Sequence, residues 1–204
     1  MVVNAVRAHL AEFGVIAPQG LRNVGKLIAI IRDEEDARLP SLARQVLQVL
    51  ATQIEQIEAA VTVLEKQLMA WHKSNPVSQR LATIPGIGPI IATAVAAMVA
   101  EPSGFRSGRE FAAWLGLVPR QNSTGGKNRL GCISKRGNQY LLLINGASAN
   151  LLRSKATNAD PWVIGLRRRR PSLVVAVALA NKTARIAWAV MHRQENYQRM
   201  ATAA

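Results

Sequence analysis

The chain has 204 residues, 49% of them hydrophobic and only 4% aromatic, and carries a formal net charge of +14. That apolar share excludes a disordered chain, and the single cysteine, Cys132, excludes an internal disulfide framework and fits a reducing cytoplasm. The charge is lopsided: residues 1–100 hold nine Lys and Arg against eight Asp and Glu, whereas residues 101–204 hold seventeen against four. A basic half of this kind points to nucleic acid before acidic protein or lipid.

In chain order, residues 2–13 read as a helix (Val2, Val6, Leu10, Phe13) that Gly14 terminates, and Leu21 to Ile31 as a second. The start lacks a basic leader with an apolar core, so the expectation is a soluble, cytoplasmic protein. Asp33-Glu34-Glu35-Asp36 reads as a solvated turn, since four consecutive acids diverge on any regular element. From Ser41 to Lys73 the apolar residues Leu47, Leu50, Ile54, Ile57, Val61, Leu64, Leu68 and Trp71 alternate spacings of three and four. This heptad seam predicts a long coiled-coil-like helix about 50 Å in length, paired with a second copy or with helices of its own chain. Self-association is the favoured expectation, because polar residues flank a narrow seam.

The centre of the chain is Leu81 to Ala100, with Ile84-Pro85-Gly86-Ile87-Gly88-Pro89 in its middle. Pro85 removes a helical donor, the glycines admit a sharp turn, and Pro89 suits the opening of the next helix. The arrangement predicts a helix-hairpin-helix, in which Gly86, Ile87 and Gly88 present backbone N–H groups to a phosphate at a helix N-terminus. A buried helical hairpin without ligand competes with that reading. A dinucleotide fold would need a preceding strand, and none is evident. A membrane span is disfavoured by two prolines and two glycines at the centre.

Ser107-Gly108-Arg109-Glu110 has capping-box spacing for a helix carrying Phe111, Trp114 and Leu115. The stretch from Gly116 to Gly137 is rich in glycine and basic residues and free of Asp and Glu. Asn122 to Gly126 is turn chemistry, an expected short irregular or β-hairpin insertion, with Arg120, Lys127, Arg129, Lys135 and Arg136 around it. Helix resumes over Asn138 to Lys155. Arg167-Arg168-Arg169-Arg170 is a basic run, read as a solvated face or a backbone clamp. Ser172 to His192 forms the last helix, whose apolar part is interrupted by Asn181, Lys182 and Arg185 short of a membrane span.

Scattered acids and histidines suggest no metal site in this chain. A hydroxyl nucleophile is the remaining route to phosphodiester chemistry. Ser123, on a glycine-flanked tip, has the setting for it, with cations to stabilise the transition state; a plain turn residue is the bland alternative. Ser134 beside Lys135-Arg136 is a second candidate that also reads as a helix cap.

These motifs in this order, Ile84-Pro85-Gly86-Ile87-Gly88, Phe111 to Pro119, Asn122 to Lys127 and Ile133 to Asn138, resemble the C-terminal domain of DEDD-type bacterial insertion-sequence transposases. That family is known for recombination directed by a bridge RNA. The resemblance spans most of residues 77–197, and Arg7 to Gly14 with Ala17 to Gly20 is similar to its connecting region. It implies Ser123 as the DNA-attacking nucleophile, and DNA with a guide RNA as partners. It also implies a divalent metal such as Mg held by four acids of an N-terminal resolvase-like half that nothing here matches. A second departure is an Arg-containing pair missing after Tyr140-Leu141. The resulting expectation is a mainly α transposase fragment: a connecting remnant over 1–40, a heptad helix over 41–75 and a C-terminal domain over 76–204. The rivals are a non-catalytic nucleic-acid-binding module that dimerises through its long helix, and a helical interaction protein with no nucleic-acid role.

Overall fold

A computed structural model of the chain describes residues 2–122, 124, 126–127, 130–133, 137, 148, 152 and 160–198. The architecture is mainly α, as the periodicities predict. It divides into two compact units, Met1–Gln67 and Leu68–Ala204.

In the first unit, α1 (Val2–Glu12) buries Val6 and Leu10. Gly14 takes φ of +74°, with Val15 N–H donating to Leu10 O and Gly14 N–H to Ala11 O, both at 3.0 Å. This is a Schellman closure, with buried Val15 covering Leu10. The second predicted helix begins as a 3-10 turn (Leu21–Asn23) and becomes α-helical over α2 (Val24–Arg32). Helix α3 runs from Ser41 to Ser74, and the division between the units falls within it.

Arg44, only 7% exposed, aims its guanidinium at the C-terminal end of α2. It donates to the carbonyls of Ile30 and Ile31 at 3.1 Å, of Asp36 at 2.5 Å and of Asp33. A cation there meets the negative end of the helix dipole and satisfies carbonyls that the helix leaves without partners. The acidic turn is solvated as expected, with Asp33, Glu34 and Glu35 exposed, and Arg38 holds the pKa of the Asp36 carboxyl down to about 2 through side-chain and backbone hydrogen bonds.

The heptad seam of α3 is split. Leu47 (2% exposed) and Ile54 (4%) belong to the core of the first unit, whereas Ile57 (55%), Val61 (47%), Leu64 (62%) and Trp71 (40%) face outward.

The second unit is built around its last helix. Helices α4 (Pro76–Ala82), α5 (Pro89–Met98) and α6 (Gly108–Trp114) share one apolar core with the C-terminal helix α8 (Ser172–Arg193). A 3-10 turn over Pro102–Gly104 and a short helix α7 (Pro161–Arg167) complete it. Strands β1 (Pro119–Gln121) and β2 (Leu130–Ile133) pair antiparallel, with Pro119 opposite Ile133 and Gln121 opposite Leu130. The helix predicted over Asn138 to Lys155 lies outside the described residues, apart from the isolated positions Ser148 and Leu152.

Side-chain hydrogen bonds fix α8 against the chain around it. Asn181 Nδ2 donates to Leu117 O at 3.2 Å, and Trp188 Nε1 to Pro102 O at 3.1 Å. Beyond the helix end, Tyr197 N–H donates to Thr83 Oγ1 at 2.9 Å. The expectation that α8 falls short of a membrane span needs correction. Over its 22 residues it is long and apolar enough to cross one, with a mean hydropathy of 1.5 in its most apolar stretch. Here Val175, Leu179, Ala180, Ala184, Ala187 and Val190 are buried in protein.

Candidate nucleic-acid interface

The α4–α5 turn is closed by local chemistry at each end. Asn75 caps α4 by accepting from Ser78 N–H at 2.9 Å, with Pro76 at the first helical position. His72 Nδ1 lies 2.7 Å from Ser78 Oγ and ties the end of α3 to α4. At the bend, Gly86 adopts φ of +87°, a left-handed angle that a side chain disfavours.

Gly88 is different. Its φ of −85° suits any residue, and a Cβ built on it meets nothing within 4 Å. Gly88 is the N-cap of α5, so the first N–H groups of that helix open beside bare, exposed backbone. An anion approaching there meets oriented donors and the positive helix end with no side chain in the way.

Ile87 turns the other way. Its side chain is buried with Ile84 in the core, and its N–H donates to Ile84 O at 3.0 Å. Of the three residues read as a phosphate cradle, Ile87 therefore anchors the turn, and Gly86 and Gly88 face solvent.

The second set of predicted residues sits on the β-hairpin. Arg120 is exposed on β1, and Lys127 is exposed near the tip, where its N–H donates to Thr124 O at 3.1 Å. Gly126 has φ of +73°, which makes the tight reversal. Across the ladder Gly131 faces Asn122: a Cβ there would approach the Asn122 amide nitrogen to 3.1 Å. Ser123, Arg129, Ser134, Lys135 and Arg136 lie outside the described residues; Asn122 and Thr124, on either side of Ser123, are exposed.

Helix α6 seats this hairpin. Ser107 Oγ accepts from Glu110 N–H at 3.3 Å, while the Glu110 carboxylate accepts from Arg106 N–H at 2.7 Å, one residue upstream of the cap itself. The capping box is thus half closed in the expected manner. Phe105, Phe111 and Trp114 cluster with centroids 5.2–5.8 Å apart, Phe105 edge-on to Phe111 and Phe111 stacked on Trp114.

Residues 78–160, which contain both the helical turn and the β-hairpin, match the model of the transposase IS116/IS110/IS902 family. The chain is 48% identical over 201 residues to a protein of Pseudomonas aeruginosa described as a probable family 20 transposase, covering 96% of this chain and 59% of that protein. It is 37% identical over 201 residues to the transposase for insertion sequence element IS1111A of Coxiella burnetii, covering 97% of this chain and 55% of the other. Likewise it is 40% identical over 195 residues to the transposase for insertion sequence element IS1328 of Yersinia enterocolitica, covering 92% and 56%. The chain therefore spans somewhat over half the length of these relatives.

Within the matched segment lie α4 from Ser78 onward, α5, α6 and both strands. Two features escaped the sequence reading. Helix α7 is one, although Asp160-Pro161 signals it: the Asp160 carboxylate accepts from Trp162 N–H at 2.9 Å, with proline at the first helical position. The other is a cation over an aromatic face, Lys182 Nζ at 4.4 Å from the Trp162 ring centroid.

Proposed function

We propose that this chain is the nucleic-acid-handling portion of an insertion-sequence transposase, acting on DNA phosphodiesters in transposition and recombination. The observation that carries the reading is the exposed, unobstructed Gly88 at the N-terminus of α5, in the same family-matched segment as the Arg120 and Lys127 hairpin. Backbone N–H groups at Gly86 and Gly88 grip one stretch of phosphates, in the manner of a helix-hairpin-helix. Arg120, Lys127, Arg129, Lys135 and Arg136 hold the phosphate presented to the hairpin tip. Relatives named as transposases of insertion sequences support this assignment.

Ser123 is the nucleophile. Its Oγ bonds to phosphorus as the bond from phosphorus to one sugar oxygen breaks, and the serine proton ends on the departing hydroxyl. The number of phosphodiester bonds is conserved, so the reversed step rejoins a strand. Cations around the tip stabilise the added negative charge of the transition state. The resemblance to bridge-RNA-directed recombinases adds a guide RNA, whose backbone the same cations would bind. Among the described residues no group of three His, Cys, Asp or Glu side chains gathers. The resemblance places its divalent metal in the acid-bearing half that this chain does not match. The outward half of the α3 seam, Ile57 to Trp71, joins two copies.

Trapping tests the chemistry. After incubation with duplex carrying an insertion-sequence end and denaturation, a covalent protein–DNA adduct is expected, and is lost in Ser123→Ala. An adduct that survives in Ser123→Ala eliminates that serine. Binding without an adduct under any condition supports the non-catalytic module in place of the enzyme.

A further inference from the structure

Helix α8 is apolar from Leu173 to Ala180 and then turns polar at Asn181, which is half-buried next to the core residue Ala180. The Asn181 Nδ2 donates to the carbonyl of Leu117, a residue 1% exposed and 64 positions earlier in the chain. Asparagine is a weaker helix former than the alanine and leucine around it, so helix propensity does not account for it here. Its partner does: an apolar side chain at 181 would leave a buried carbonyl without this donor.

Leu117 is the point from which the β-hairpin leaves α6. Gly116, at φ of +75°, closes that helix in a Schellman arrangement, with Leu117 N–H donating to Ala112 O at 3.0 Å and Gly116 N–H to Ala113 O at 2.9 Å. Strand β1 starts two residues later at Pro119, and its pairing with β2 shifts register between Pro119 and Gln121. Beyond β2 the chain returns to the same place, because Gly137 lies against the Leu115 carbonyl carbon and the Gly116 nitrogen. A two-stranded ribbon of three and four residues is marginal in water by itself, so its direction is set where its ends are held. Asn181 grips that root from α8. Leu117 then has its N–H, its carbonyl and its side chain all engaged.

We propose that Asn181 is a positioning residue for the phosphodiester held at the hairpin. It touches no nucleic acid itself. Through the Leu117 carbonyl it fixes the direction in which the hairpin presents Arg120 and Lys127 and, in the reading above, the nucleophile Ser123. The inference rests on that nucleic-acid reading and gives the last helix a part in the site beyond closing the core. The leverage is large, because a misplacement of about 1 Å can cost about a hundredfold in rate even when its origin is far from the chemistry.

Two variants of the full chain remove the donor. Asn181→Leu has nearly the same size, and Asn181→Ala leaves room for a water to reach the Leu117 carbonyl and so spares the fold. Trp188→Phe is the control, since it deletes another side-chain donor of α8, the one that serves Pro102 O instead of the hairpin root. Each is titrated with duplex carrying an insertion-sequence end across a salt series, below its melting temperature, and then trapped at saturating duplex. With Arg120 and Lys127 out of line, both Asn181 variants should bind with a salt slope shallower by about 2 and form adduct about tenfold more slowly or worse. Trp188→Phe should melt earlier and keep the slope and the adduct rate of the unaltered chain. An unchanged slope in Asn181→Ala would overturn the proposal. So would the same loss in Trp188→Phe, because the Asn181 hydrogen bond would then be structural alone. If the unaltered chain binds without forming an adduct, the nucleophile is lost and the shallower slope alone carries the proposal. An unaltered chain that binds no duplex would instead sink the nucleic-acid reading and this inference with it.

Discussion

Gly137 lies directly against the backbone of Leu115: a Cβ built at position 137 would overlap the Leu115 carbonyl carbon, Trp114 O and Gly116 N. Two of the sequence motifs, Phe111 to Pro119 and Ile133 to Asn138, are therefore in backbone contact at the end of α6. Gly137→Ala should cost about 1–3 kcal/mol or more, because backbone cannot move aside as a flexible side chain can. Gly165→Ala, in α7 with open space around it, should instead stabilise by up to about 1 kcal/mol. Thermal melting of both variants checks the pair; equal effects would contradict the close approach.

Gly86 and Gly88 should separate under mutation. Gly86→Ala meets the left-handed angle and should cost about 1–2 kcal/mol of stability. Gly88→Asp has no strain to meet and supplies a better helix cap, so the fold should hold or gain slightly. Its carboxylate would occupy the anion position, and DNA affinity should fall tenfold or more, about 1.4 kcal/mol. Unchanged affinity in Gly88→Asp would remove the turn from the interface.

Arg44 makes its hydrogen bonds to main-chain carbonyls, and Arg44→Met would leave several of them without a donor. The expected loss is about 1–3 kcal/mol in the first unit. Hydrogen exchange should show faster protection loss in α2 than in α5. A uniform change, or none, would contradict the capping role.

How much of this was legible in the chain depends on the length scale of each signal. The α4–α5 turn was readable because Pro85, Gly86, Gly88 and Pro89 punctuate it within five residues, although only Gly86 needs a left-handed backbone angle. Helix α7 was not, since seven residues give too little period, though its Asp-Pro start was on the page. Arg44 had no readable pattern: a buried guanidinium serving carbonyls eight to fourteen residues away in the chain leaves no spacing rule. The seam of α3 was legible as a stripe, but periodicity cannot tell which half its own chain covers. Nor does an apolar stretch in α8 declare whether protein or lipid buries it.

That division of the seam makes its own prediction. Leu47→Ala should cost about 2–5 kcal/mol, as a core truncation does. Leu64→Glu should leave the melting of the dilute chain nearly unchanged and shift its sedimentation toward the monomer. A Leu64→Glu chain that still associates as the unaltered chain does would place self-association elsewhere.

The most direct measurement is the affinity of the unaltered chain for duplex DNA across a salt series. If bare N–H groups and hairpin cations seat on the backbone, at least three phosphates are engaged, and log affinity should fall against log salt with a slope of about −3 or steeper. A slope near zero, or no binding at low salt, would contradict it.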